Sequence, residues 1–192
     1  MGDVIVIQFA TLDGVVSDPD GRGGTEYGGW AFRFGPGAVA GDKFRLGARM
    51  EEGVLLYGRR TWESFAQFWP GRDDDFARRM NAATKRVATG AGIDASAWAN
   101  SAAIDGDPLA WVKAERERRD VVVIGSLSLV HALAAADLID EYRLITFPTV
   151  TGQGDRLFAA GAPADFRFTA AEPLDAAVLT VLRRDRAERP AG

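Results

Sequence analysis

Two short stretches place a glycine between an apolar run and an amphipathic segment: Tyr57-Gly58-Arg59-Arg60-Thr61 and Ile124-Gly125-Ser126. A helix that begins directly after a strand presents free backbone N–H groups and a partial positive charge, and a glycine there lets a phosphate come close. Two such turns at the carboxyl ends of strands in one sheet can hold a dinucleotide. Arg59 and Arg60 add fixed charge and forked donors suited to a terminal phosphate, the 2′-phosphate of NADPH above all. The competing reading of the same residues is a tight turn with two solvated arginines. No GxGxxG follows any strand, so the standard dinucleotide fingerprint is missing.

What the chain lacks narrows the chemistry. It has no cysteine and a single histidine, His131. Disulfides, thiol nucleophiles and the usual zinc sites are thereby excluded, and no metal is expected. His131 falls inside a helical stretch with no nucleophile elbow nearby and reads as a solvated surface residue. The net charge of −4 argues against bulk attraction to nucleic acid or to an anionic membrane. No apolar stretch reaches the roughly 18 residues of a membrane span. The start, Met1-Gly2-Asp3-Val4, has no basic region and runs into a strand, so no signal peptide is read and the cytoplasm is the expected location.

The elements that must position the two turns follow from periodicity. Val4 to Ala10, Val54 to Tyr57, Lys85 to Thr89, Val121 to Ile124 and Tyr142 to Phe147 read as strands, several buried on both faces. Thr11 to Gly29 is a long Gly- and Asp-rich loop, a length that is usually functional. Residues 38 to 52 read as one helix. Thr61 reads as the cap of the next, with Trp62, Phe65 and Trp69 on one face. Asp73 to Asn81 reads as another turn or two. Asp107-Pro108 starts a helix through Arg118, whose Arg116-Glu117-Arg118-Arg119 run reads as a solvated face. Leu127 to Ala136 is the last helix, and residues 166–170 and 177–183 a closing hairpin. The order implies one α/β domain over residues 1–185 with a short tail, 186–192. Its sheet is mostly parallel, with an antiparallel edge and helices on both faces.

With these segments in hand, the chain resembles the dihydrofolate reductase-like superfamily, in its branch containing the reductase domain of riboflavin biosynthesis. Leu55 to Glu63 is similar to the Gly-Arg-x-Thr cofactor segment of dihydrofolate reductases, and Thr11-Leu12-Asp13-Gly14-Val15 to the S-x-D-G segment of the riboflavin branch. Val123 to Leu129 resembles that branch's second phosphate turn, with Leu138 to Glu141 as the strand entry after it. Phe147 to Phe158 is similar to its P-x-x-x-G-x-G-x-x-L-F signature. Four segments lie in the same order across roughly residues 4 to 184.

The resemblance implies an NADPH-dependent reductase with a small-molecule substrate. Ala10 and Gly14 would border the nicotinamide, and Gly58, Arg59, Arg60 and Thr61 would hold the adenosine-side phosphates. Thr89 and Gly90 would flank the adenine. Ile124, Gly125, Ser126, Leu127, Ser128 and Leu129 would cradle the pyrophosphate, with Ser126 where dihydrofolate reductases carry a second glycine. The proton donor of dihydrofolate reductases falls, without gaps, on Asp42, sixteen residues before Gly58. Asp13 is the competitor, and it suits loop-shaping equally. Trp30 is placed either to stack on a flat heterocycle or to plug the core. Thr146 stands near a substrate-side threonine of the family but is also an ordinary strand residue. Relatives are often homodimers, and the apolar late strands would support the same here. True dihydrofolate reduction, nucleotide binding without turnover, and a flavin or deazaflavin enzyme on another fold remain alternatives.

Overall fold

The computed structural model describes residues 1–158 and 163–186. Eight strands form one sheet: β1 Val4–Thr11, β2 Val54–Gly58, β3 Lys85–Ala88, β4 Ser101–Ala103, β5 Val121–Ile124, β6 Glu141–Phe147, β7 Asp165–Leu174 and β8 Ala177–Asp185. Their spatial order is β4-β3-β2-β5-β1-β6-β8-β7. The first six run parallel, β8 returns antiparallel beside β6, and β7 closes the edge against β8. The expected layout therefore holds, with one added strand. β4 is three residues of Ser-Ala-Ala, without the β-branched or aromatic side chains that mark a strand in sequence.

Six helices accompany the sheet: α1 Pro36–Val39, α2 Ala48–Glu52, α3 Arg59–Ala66, α4 Asp75–Ala82, α5 Pro108–Glu115 and α6 Leu127–Ala135. Because β1, β2 and β5 are apolar on both faces, two layers can cover them. On one face Met50, Trp62 and Met80, from α2 to α4, pack on Ile5, Leu55, Tyr57, Val87 and Val122. On the other, Val112 of α5 and Leu129, Val130 and Leu133 of α6 pack on Val4, Val6, Leu56, Val121 and Val123. A third cluster gathers Trp30, Ala31 and Ala38 over Ile145, Phe147, Leu179 and Val181.

The helix expected over residues 38 to 52 is two short helices with an irregular link. Arg45 and Gly47 hold positive φ angles of 55° and 53°, which no right-handed helix accommodates. Asp42 therefore lies in a loop. Thr61 is not a cap either: α3 opens two residues earlier, with Gly58 in the cap position. α5 is capped as its sequence suggests, by Asp107 accepting from Ala110 N–H at 2.9 Å, and α4 is capped by Asp74 accepting from Ala77 N–H at 3.0 Å.

The amino ends of the strands are held by buried ion pairs that periodicity does not announce. Asp140, almost fully buried, accepts from Val4 N–H at 2.8 Å and pairs with Arg116 at 2.7 Å and Arg186 at 2.8 Å. Arg116 is thus not part of a solvated face, and Arg118 and Arg119 both turn back onto buried Glu115. Lys85 is wholly buried and donates to the carbonyls of Met80, Asn81 and Ala83, closing the end of α4. Burial pulls its pKa down to about 8.

Candidate functional site

β2 and β5 are neighbours in the sheet, yet the chain leaves them in opposite directions. From β2 it enters α3 on the Tyr57 face; from β5 it enters α6 on the Val123 face. Such a divergence opens a crevice at the carboxyl ends of the two strands, where open α/β sheets bind their ligands. The two glycine turns flank this crevice, and they interlock. A Cβ on Gly58 would lie 2.3 Å from Ser126 Oγ and 2.4 Å from its Cβ. A Cβ on Gly125 would lie 2.7 Å from Thr61 Cγ2, and Gly125 also holds φ +66°. Thr61 Oγ1 accepts from Ser126 N–H at 3.1 Å. Thr61, expected as a cap, is instead the clamp between the turns.

The α6 turn leaves backbone donors free. Ser126 stands in the left-handed region at φ 58°, a conformation that favours glycine. The first helical bond runs from Val130 N–H to Ser126 O at 3.0 Å. The amides of Leu127, Ser128 and Leu129 thus precede it and lack intrahelical acceptors. Ile124 is buried as the last residue of β5. Across the crevice, Arg59 pairs with Glu63 at 3.0 Å. Arg60 is exposed and meets no carboxylate among the described residues. It lines an open cleft with Arg22, Glu63, Ser64 and Gln67, so the Gly-rich loop reaches over α3. Arg22 also lies 4.9 Å from the Phe68 ring centroid. Thr89 and Gly90 follow β3, one strand further out, where Thr89 Oγ1 accepts from Ala91 N–H at 3.1 Å.

On the other side of β5, the end of β1 meets the end of β6. Ala10 is buried next to Thr146, which is a half-buried strand residue paired with Val178 on its other side. Gly14 turns the chain, its carbonyl accepting from Leu157 N–H at 3.1 Å. Asp13 binds this loop to the one after β6. Its carboxylate accepts from Thr11 Oγ1 at 2.6 Å, Gly152 N–H at 2.9 Å and Thr151 N–H at 3.3 Å. The Thr11 hydroxyl foremost, then the two amides, hold its pKa below the usual carboxylate range. Asp13 is therefore a bound anion that shapes the loop. Asp42 is anchored likewise, accepting from Leu46 and Gly47 N–H, each at 2.8 Å, with Arg79 at 3.8 Å. Both carboxylates are thus held by backbone N–H groups.

Trp30 is 1% exposed, donates to Ser17 O at 2.9 Å and packs edge-on against Phe147. It plugs the core and offers no ring face to a ligand. His131 is not a free surface residue: its Nε2 lies 2.9 Å from Leu157 O, tying α6 to the loop that closes on Gly14. Sequence reasoning also passed over Arg33, whose guanidinium donates to Thr149 Oγ1. An arginine in an irregular loop carries no periodic signal, and only the folded chain brings it to β6.

Residues 107–180 match the family model described as the RibD C-terminal domain. No curated protein matches the chain. Among solved structures, a protein assigned to riboflavin biosynthesis from Shewanella sp. PV-4 superposes with a TM-score of 0.73 at 19% identity, over 97% of this chain and 100% of that one. Acinetobacter baumannii RibD gives 0.63 at 16% identity, over 97% of this chain and 59% of its own. A pyrimidine reductase-like protein from Corynebacterium diphtheriae gives 0.57 at 11%, over 96% and 92%. The family match contains β5, α6 and β6 with the second glycine turn, while the first turn lies outside it and is placed by the shared fold. Residues 107–180 are thus similar to the RibD C-terminal domain, and the chain as a whole shares the α/β fold of these solved structures.

Proposed function

We propose that this chain is an NADPH-dependent reductase acting on a small heterocyclic or ribosylamino-type substrate. The observation that carries the reading is the interlock of Gly58, Thr61, Gly125 and Ser126 at the switch between β2 and β5. The fit to the cofactor rests on the donor set: two helix starts side by side, the amides of Leu127, Ser128 and Leu129, and the unpaired Arg60. In this reading α6 receives the pyrophosphate, and Arg59 and Arg60 take the 2′-phosphate. Thr89 and Gly90 border the adenine, and Ala10 and Gly14 the nicotinamide. NADPH, when bound, supplies the hydride. Asp13 keeps the loop beside the nicotinamide in place, and Asp42 holds the link into α2. The proton donor is proposed between these two, Asp42 first and Asp13 as its competitor.

The reading is tested by titrating the protein with NADPH and with NADH, following its five tryptophans. A preference for NADPH of about tenfold, or about 1.4 kcal/mol, is expected, and Arg60→Ala should erase it while leaving NADH affinity unchanged. Absence of binding by folded protein refutes the assignment. The anchoring of both aspartates favours one other reading, a nucleotide-binding protein without turnover; sustained NADPH oxidation with any substrate eliminates it. A homodimer in the cytoplasm completes the proposal. No helix among the described residues is long and apolar enough to cross a membrane.

A further inference from the structure

Some arginines are paired and some are not. At the amino end Arg49 and Arg183 pair with Asp3, Arg143 with Glu141, and Arg116 and Arg186 with Asp140. At the carboxyl end Arg33, Arg60 and Arg156 have no carboxylate within ion-pair reach among the described residues. Arg60 belongs to the cofactor crevice, and Arg156 spends its Nε on Asp13 O at 2.9 Å. Arg33 is different. It is exposed, yet held in place by the hydroxyl of Thr149, which is only 8% exposed, and by the Phe34 ring at 5.5 Å. Phe34 in turn lies 5.5 Å from Phe147, the last residue of β6.

Exposed apolar residues lie on the segments that meet at Thr149. Leu12 and Val150 are each 65% exposed, and Phe32 is 48% exposed. All converge on Thr149: Leu12 N–H donates to its carbonyl at 2.8 Å, Val150 follows it, and Phe32 precedes the arginine that binds it. The rim stands at the ends of β1 and β6, while the cofactor crevice stands at β2 and β5, one strand away. An exposed apolar cluster at such a place marks a binding site, and an oriented, unpaired arginine selects an oxyanion.

We propose that Leu12, Phe32, Val150 and Arg33 form the substrate mouth, and that it takes a molecule with a flat, largely apolar body and one oxyanion group. The inference rests on the reductase reading only in supposing that the molecule bound here meets the hydride end of the cofactor. It departs from a polar ribosylamino body, for which three exposed apolar side chains are a poor match.

The test measures binding of 2-naphthoate, 2-naphthyl phosphate and 2-naphthamide by ligand-observed NMR, with and without NADPH. Wild-type protein, Arg33→Ala, Arg33→Lys and Leu12→Ser/Val150→Ser are compared. At least one anionic probe should bind about tenfold more tightly than the amide, and the tighter of the two identifies the oxyanion as carboxylate or phosphate. Arg33→Ala should abolish the preference, Arg33→Lys should restore part of it, and the serine pair should weaken all three probes alike. NADPH affinity should stay the same in Arg33→Ala, which also reports that the variant is folded. Equal binding of anions and amide, a preference that survives Arg33→Ala, or no binding of any probe overturns the proposal. If the preference depends on Arg33 but NADPH does not bind, the reductase reading fails and the anion site stands.

Discussion

At Gly58 the backbone is ordinary, φ −82° and ψ 158°, so what forbids a side chain there is the neighbour across the crevice. The only atoms a Cβ would strike are Oγ and Cβ of Ser126; the next nearest, its Cα, is 3.7 Å away. Gly58→Ala should thus cost about 1–3 kcal/mol through overpacking and lower NADPH affinity. Ser126→Gly alone should be neutral or stabilising, since it removes a left-handed non-glycine worth about 1 kcal/mol. Combined, Gly58→Ala should become tolerable, because its obstacle is gone. A double-mutant cycle in denaturant measures that coupling, and simple additivity would show that the turns do not interlock. Sequence made both glycines visible but assigned each to a phosphate. It did not reveal that they face each other, because a contact between residues 58 and 126 leaves no local pattern. The aspartates teach the reverse lesson: Asp42 was selected by its distance from Gly58, and the positive φ angles at Arg45 and Gly47 displaced it from the helix that would have aimed it.

Between elements, the bond from Ser126 N–H to Thr61 Oγ1 fastens α3 to the start of α6. Thr61→Val keeps the shape and removes the acceptor. It should destabilise the protein by about 1 kcal/mol and weaken NADPH binding by about tenfold, while Thr61→Ser should retain most of both. Unfolding curves paired with fluorescence titration separate the two effects; unchanged affinity in Thr61→Val would mean the helix starts need no fastening. Most elements were legible because the β2 and β5 runs are continuous apolar stretches and Asp107-Pro108 is a strong start signal. The Ser-Ala-Ala strand β4 was illegible for the opposite reason. It exists because Lys85 to Val87 offers it a ladder, in register with Ser101 to Ala103, and because Ser101 Oγ accepts from Trp62 Nε1 at 2.9 Å.

At the scale of the whole molecule, the first strand is tied to the last. Both oxygens of Asp3 accept from Arg183 of β8, at 2.7 and 2.9 Å, and Arg49 approaches at 3.2 Å. The bonds from Arg183, then the charge of both arginines, hold the Asp3 pKa below the ordinary carboxylate range. A lowered carboxylate pKa gives stability that is complete above the unfolded value and is lost as pH falls through the folded one. Wild type should therefore lose stability more steeply than Asp3→Asn on acidification below about pH 4, read from denaturant midpoints. Parallel slopes would assign the acid sensitivity to other carboxylates.

The closing hairpin poses the last question. One face of β8 buries Ala177, Leu179 and Val181 in the core, so the alternation of a strand turns Val178, Thr180 and Leu182 to the other face, where Val178 is exposed and Leu182 is half-buried. On β7, Phe168 stands opposite Leu182 and Pro173 opposite Val178. Phe168 is 70% exposed, and Phe158 and Val178 are exposed nearby. Among the described residues β7 is also the outermost strand of the sheet, and a sheet edge is a feature that proteins usually cover. A second copy seated on this face would remove both liabilities, and that is the dimer proposed above. Phe168→Glu should then convert a dimer to a monomer in sedimentation equilibrium without a change in NADPH affinity, because the crevice at β2 and β5 lies on the far side of β1 and β6 from the hairpin. A wild-type protein that sediments as a monomer at all accessible concentrations removes the dimer. A dimer indifferent to Phe168→Glu moves its interface to another surface.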